Sequence, residues 1–405
     1  MITLENKQFR LEIDPLGAQW RSLYDKEHEQ ELLWQGNPNS WTSQAPLLFP
    51  VVGSLKEKSY IYHGQLYSMD NHGFLRHQEC RVVHQTNQEV TFELVSNDDT
   101  KQQYPFEFTL RITMKLNANK VKTTIVVLNQ SEVPMYFNVG GHPGFKIDHS
   151  NENKLKFKLK KKSGQFLLEG PFVSGYQKFN DEELDLNQID LESTLILDQV
   201  SKVQLSTPDY NFSVAMKPTK YMAFWSPKNT ETNQLDDVIC IEPWWGIGDC
   251  VESNQLLKDK KGILKLSPNE SKTFEFSLKI DKVIPPLDVP KSIGPYSISR
   301  EVDNLIYSSG QLPLNPTSNE IESWDIKDQT RQVLTNVKAV LEQHQCGLED
   351  IIKTTVFLKN MDDFTSMNEV YGEFFNEPYP ARSAVEVARL PKDALVEIEV
   401  IAKKK

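Results

Sequence analysis

The chain has 405 residues, 39% apolar and 25% charged, enough for roughly two to four domains with cores of their own. Its net charge of −11 and pI of about 5.4 argue against a binder of nucleic-acid backbone, which needs a basic field. No stretch approaches the ~20 apolar residues of a membrane-spanning helix, and the start, MITLENKQFRLEI, lacks the basic and apolar runs of an export signal.

In chain order, Val90, Phe92 and Leu94 alternate with polar residues, as do Phe106, Phe108, Leu110, Ile112, Met114 and Leu116. A period of two marks strands with one buried face. Asn117-Ala118-Asn119 turns the chain and Val121, Thr123, Ile125 and Val127 resume the alternation, which predicts a long antiparallel hairpin. LKFKLKKK (Leu155 to Lys162) reads as a strand with a solvated lysine face, and Phe274, Phe276, Leu278 and Ile280 as another strand. Helical periodicity is nearly absent up to this point, so a large all-β sandwich is expected.

The proline-rich DKVIPPLDVPK (Asp281 to Lys291) is expected to join two domains, 1–283 and 284–405, with Lys279 to Ile284 open to a strand of either. Beyond it, Asn304 to Gln311 is strand-like. Val333, Leu334, Val337 and Leu341 recur at helical spacing within Ile326 to Gln345, with Gly347 as the stop. Ile351 to Leu358 reads as a strand, and Phe364, Met367, Val370, Tyr371 and Phe374 as a helix. Arg382 to Ala388 and Leu395 to Ala402 are strands joined at Leu390-Pro391-Lys392-Asp393, and Lys403 to Lys405 is a frayed tail. The order ββαβαββ predicts an α+β domain with two helices on one face of a small sheet. Cys80, Cys240, Cys250 and Cys346 show no CxxC or metal-ligand spacing; two of them lie in strand-like apolar context and fit buried thiols, and a reducing cytoplasm is the simplest home.

Three stretches of the first domain concentrate polar chemistry: NHGFLR (Asn71 to Arg76), GGHPGF (Gly140 to Phe145) and ICIEPWWG (Ile239 to Gly246). Each sets an ionisable side chain beside glycine or proline, which predicts a strand end or tight turn rather than a place inside a ladder. A carboxylate in the apolar surroundings of Glu242 is costly unless something pairs with it.

Together with APLLFPVVGSL (Ala45 to Leu55), these stretches resemble the aldose 1-epimerase (galactose mutarotase) superfamily, and more closely its LacX-like branch, over roughly residues 1 to 283. The resemblance implies a galactose mutarotase-like supersandwich and acid–base opening of a sugar hemiacetal. Glu242 is then the general base, His142 the general acid on the opposite side of the sugar, and His72 a second histidine positioning the ring. Arg76 is a candidate anion contact. Trp225, Trp244 or Trp245 would raise the Glu242 pKa by excluding water and offer a flat face to the sugar. Ser54 stands where related sequences usually carry an arginine, with Lys56 or Lys58 as possible substitutes. The resemblance leaves the substrate as a hexose or hexose phosphate, and a sugar-binding domain without catalysis is the alternative.

In the second domain, IGPYS (Ile293 to Ser297), YSSGQLPLNP (Tyr307 to Pro316), KTTVFLKNMDDFTSMNEVY (Lys353 to Tyr371) and YPARSAVEVARLPKDALVEIEVIA (Tyr379 to Ala402) are very similar to the RidA (YjgF/Rid) family, with its chorismate mutase-like fold. That likeness implies hydrolysis of 2-imino and enamine acids to 2-oxo acids and ammonia. Arg382 would clamp the substrate carboxylate and Glu397 position the attacking water, while Tyr296, Gly310, Asn368 and Ala384 line the pocket. It also implies homotrimers with pockets between neighbouring subunits, and neither a metal nor an organic cofactor. The endoribonuclease label carried by some relatives is disfavoured by the acidic balance. The whole chain thus reads as a cytoplasmic bifunctional enzyme of small-molecule substrates, without nucleic-acid or membrane partners.

Overall fold

Alternating strands of residues 1–283 assemble into two large antiparallel sheets, one of nine strands and one of eight. The structure is a computed structural model and describes residues 1–159, 162–283 and 288–404. The chain divides into two compact units, Met1–Val283 and Ile284–Lys405. Part of the proline-rich join lies outside the described residues, as do residues 160 and 161 of the lysine-rich stretch.

At the centre of the nine-stranded sheet stands the hairpin Phe108–Asn117 and Lys120–Asn129, turned at Ala118 with positive φ. Its inward side chains, Leu110, Ile112, Val121 and Ile125 among them, are fully buried. Each contributes about 1.5–3 kcal/mol of burial against the facing sheet. Ser271–Lys282 pairs along the same hairpin, so the ambiguous Lys279 to Ile284 stretch belongs to the first unit as far as Lys282. In the lysine-rich stretch the strand is shorter than expected, Lys154–Phe157. The one α-helix of this unit among the described residues, Asp98–Gln103, begins at a capping box of Asn97 and Thr100.

In the eight-stranded sheet, Ile239, Ile241, Met222 and Phe224 face the main core. The alternate residues Ala223 and Trp244 face a second apolar cluster with Leu48, Phe166 and Ile196. Glu242 shares the register of this second face. The polar chemistry therefore sits on the side of the sheet turned away from the main core.

The second unit follows the expected ββαβαββ order: Ser299–Val302, Leu305–Ser308, helix Ile326–Glu342, Ile351–Leu358, helix Phe364–Phe374, Ala381–Glu386 and Val396–Lys403. Asp325 caps the first helix through Lys327 N–H at 2.8 Å. Both helices pack with Val356, Leu358, Val396, Ile398 and Val400. The opposite face of the sheet, with Thr355, Phe357, Glu399 and Ile401, stays half-buried. The expected frayed tail is corrected at Lys403 and Lys404: Lys403 pairs with Leu305, Lys404 N–H donates to Asn304 O at 2.9 Å and its Nζ reaches Glu301 at 3.2 Å, so backbone pairing and charge hold these two residues, while Lys405 lies outside the described residues.

Candidate active sites

Glu242 lies inside the strand Val238–Trp245, paired with Ala223 on one side, and not at a strand end as its glycine and proline neighbours suggested. The other edge explains how a proline is tolerated there. Val139–Gly141 pairs at Trp244 and Trp245, Gly144–Lys146 pairs at Val238 to Cys240, and the ladder is broken between them. In the break sits His142-Pro143, where Ile241 N–H still donates to Pro143 O at 3.1 Å; Gly141, across from Pro243, pairs with Leu47 instead, so Pro243, paired with Met222 on its other edge, is asked for no ladder bond on this one. Both paired segments share one register offset, which sets residue 142 directly across from residue 242. The His142 Nε2 and Glu242 Oε2 stand 3.1 Å apart, with the residues 6% and 1% exposed. The two residues expected to act as acid and base are therefore direct neighbours.

Burial dominates the electrostatics. It pushes the Glu242 carboxyl well above its usual range, partly countered by the hydrogen bond from Trp244 Nε1 at 3.1 Å. It also pushes His142 down to about 3, with Arg76 nearby adding to the effect. Both shifts favour the uncharged forms, so the pair holds one proton between Oε2 and Nε2. Of the tryptophans, Trp244 donates to the carboxylate, which counters part of the rise that burial causes, and Trp245 donates to Pro218 O at 2.6 Å. Trp225 stands edge-on to His142, 5.9 Å between ring centroids.

His72, at positive φ, joins the pair: one ligand atom each of His72, His142 and Glu242 lies within 4.8 Å of the others. Its Nδ1 accepts from Gly53 N–H at 3.2 Å, which places the ring proton on Nε2. The unprotonated nitrogen is thereby engaged, an arrangement made for donating rather than for ligating a metal. His72 and Trp244 line a cavity of about 280 Å³ with Ser54, Asn71, Thr194 and Glu192; His142 and Glu242 are not in its lining and stand directly behind it, His142 5.3 Å from His72 between ring centroids and Glu242 hydrogen-bonded to Trp244. Glu192, itself paired with Lys228 at 3.2 Å, is the one charged residue among the described lining. Arg76 is not part of it: its guanidinium donates to Asn71 O at 3.0 Å and to His77 Nε2 at 3.1 Å. Nor does Lys56 replace the missing arginine, since its Nζ is bound to Val251 O at 3.1 Å.

Sequence reasoning missed Trp41. Its ring covers His142 at 5.0 Å and 31°, and meets Trp225 edge-on at 5.9 Å. The loop carrying it is tied down by Asn37 Nδ2 to Asp236 at 3.0 Å and by Ser40 to the same carboxylate. No local pattern in NPNSWTSQ signals this, because the contact depends on the sheet bringing Gly144 beside Gln44.

The second unit splits its expected site residues into two groups. Arg382 pairs with Thr354 and Ala384 with Val356, on the helix-covered face. The Arg382 guanidinium lies 4.5 Å above the Tyr371 ring and 5.6 Å from Phe364, both on the helix that carries half-buried Asn368. Glu397 pairs with Phe357 on the other face, and its carboxylate fills the space beside Gly310, where any side chain would collide with it. Burial and the neighbouring Glu399 raise its pKa. Tyr296 is exposed, its hydroxyl accepting from Ile293 N–H at 3.3 Å.

Comparison with known proteins separates the same two units. The sequence model of the family described as Aldose 1-epimerase matches residues 1–278, and that of Endoribonuclease L-PSP matches residues 287–404. A solved galactose mutarotase related enzyme from Lactobacillus acidophilus is similar at a TM-score of 0.64 and 30% identity, over 69% of this chain and 97% of that one. A RutC family protein of Pyrococcus horikoshii is 57% identical over 117 residues, 29% of this chain and 93% of that protein. The 2-iminobutanoate/2-iminopropanoate deaminase of Escherichia coli K12 is 47% identical over 126 residues, 30% of this chain and 98% of that protein.

Proposed function

Because the chain belongs to the aldose 1-epimerase family through residues 1–278 and to the L-PSP endoribonuclease (RidA) family through residues 287–404, we propose that it is a two-activity enzyme, a sugar mutarotase joined to an imine-acid deaminase. The observation that carries the first activity is the 3.1 Å contact between His142 Nε2 and Glu242 Oε2. The anomeric hydroxyl and the ring oxygen of an aldose hang on the same carbon, so a donor and an acceptor side by side can serve both. The carboxylate of Glu242 takes the hydroxyl proton while His142 returns a proton to the ring oxygen. The ring opens, the C1–C2 bond rotates, and the reverse transfers close it on the other face.

The single proton of the resting pair suits this cycle. Transfer along the existing hydrogen bond turns the neutral pair into carboxylate and imidazolium, and sugar hydroxyls inserted between them stabilise that form. The His72 Nε2–H and the Trp244 indole add donors beside the pair. A neutral sugar fits the cavity better than a phosphorylated one, because the described lining offers no cation. Polarimetry or exchange NMR with the full chain, using several aldoses and their phosphates, tests the reading. Faster anomer exchange that Glu242→Gln abolishes is expected; sugar binding with no acceleration in the unaltered protein would indicate a sugar-binding domain instead.

For the second unit, water adds to the C=N carbon of a 2-imino acid, ammonia leaves, and a 2-oxo acid remains. Arg382 grips the carboxylate with two parallel charged hydrogen bonds, and Glu397, its pKa raised, takes the proton of the attacking water. These two groups occupy opposite faces of one sheet, which favours a pocket completed by a neighbouring copy in a trimer.

A further inference from the structure

Asp249 and Lys260 form a buried ion pair, Oδ1 to Nζ 3.4 Å, with 3% and 7% exposure. Such pairs are commonly matched in stability by apolar residues of similar volume, so packing alone gives little reason for one. Its connections supply a reason. The other carboxylate oxygen of Asp249 accepts Lys56 N–H at 3.0 Å, and Asp249 N–H donates to Ser54 O at 2.9 Å. Lys260 also donates to Ile247 O, which holds the 247–249 segment from the other side. Gly248 lies so close to Gly53 (φ +71°) that a Cβ at position 53 would come within 2.7 Å of it. The turn gripped in this way begins with Gly53, whose N–H meets His72 Nδ1 and whose carbonyl accepts His72 N–H, both at 3.2 Å. Every link from the ion pair to the imidazole is therefore a direct bond or contact.

We propose that Asp249, steadied by Lys260, is a positioning residue for His72: it fixes the Gly53–Lys56 turn so that Gly53 N–H occupies His72 Nδ1 and the opposite ring nitrogen carries its proton toward the sugar. This rests on the mutarotase reading of the site. Burial lowers the Lys260 pKa, and Asp249 beside it raises it again in part.

Two double variants of the full chain separate positioning from bulk stability, and neither leaves an unpaired buried charge. Asp249→Asn/Lys260→Met keeps an acceptor for Lys56 N–H; Asp249→Leu/Lys260→Met removes it. Two readouts are taken: kcat/KM for mutarotation, and the rate at which diethyl pyrocarbonate modifies His72 relative to His63, followed by mass spectrometry. The asparagine variant is expected to stay near wild type. The leucine variant is expected to lose on the order of 10- to 100-fold in kcat/KM, mainly in kcat, and to label several-fold faster at His72. In a His72→Gln background the leucine variant should then cost little more. Equal behaviour of the two doubles, or full additivity with His72→Gln, overturns the proposal. Should the leucine variant fail to fold, Asp249→Ala/Lys260→Met makes the same comparison. The labelling rate needs no turnover, so a failure of mutarotation and a failure of positioning remain distinguishable.

Discussion

Arg382 and Glu397 lie on opposite faces of the same five-stranded sheet, fixed there by pairing with Thr354 and Phe357, residues of opposite orientation on one strand. Side chains three positions apart on a strand cannot share a face. A deaminase pocket using both therefore needs two copies of the chain. Arg382→Ala and Glu397→Gln should each reduce 2-iminobutyrate hydrolysis by about 10²-fold or more. Co-refolding the two inactive variants should restore a fraction of the activity, because some interfaces then combine an intact arginine with an intact glutamate. A steady-state assay of the mixture checks this; no recovery, with mixed oligomers shown by native mass spectrometry, would place both groups in a single-chain site.

In the first unit, Glu242→Gln and His142→Gln should each lower kcat for anomer exchange by about 10²–10⁴-fold. Combining them should cost little more than either alone, since the two share one proton and act as a unit. NMR exchange rates on the single and double variants decide, and multiplicative losses would mean independent roles.

The same pair should leave opposite marks on stability. His142 is held at about 3 against an ordinary 6.5, so between those values the unfolded chain binds a proton that the folded chain refuses. Stability from this source is full above pH 6.5 and falls as pH drops, by about 1.4 kcal/mol per unit. His142→Gln should lose less on acidification. Glu242 is raised above 4.5, so the folded chain keeps a proton that the unfolded chain releases. Its contribution declines as pH rises above 4.5, and Glu242→Gln should flatten that decline. Urea unfolding across pH, followed by tryptophan fluorescence, reads the first unit, where six of the seven tryptophans lie.

Trp41→Ala should admit water beside His142. The histidine pKa then climbs toward 6.5 and that of Glu242 falls toward 4.5. The acid limb of the kcat/KM profile is expected to move upward in pH, with kcat reduced. An unchanged profile would make Trp41 a packing residue with no influence on the pair.

Period and motif made much of this legible in advance. Ile351–Leu358 and Phe364–Phe374 follow directly from alternation and helical spacing, since each has one face to bury. His142 and Glu242 could be named from their neighbours, but not their contact, which arises from a register between strands a hundred residues apart. Glycine and proline beside Glu242 pointed to a turn because local chemistry cannot reveal that the adjacent strand is interrupted. Trp41, Asp249 and Lys260 carry no local signature, and their roles come from long-range topology alone.

His142 Nε2 and Glu242 Oε2 are each other's partners at 3.1 Å. On the proposed mutarotase reading, an aldose would have to displace that internal bond before gaining its own, and the bond would re-form behind a departing product. Ground-state affinity would thereby be held down while the ring-opening barrier is still lowered, a balance suited to a metabolite present at high concentration and to rapid release.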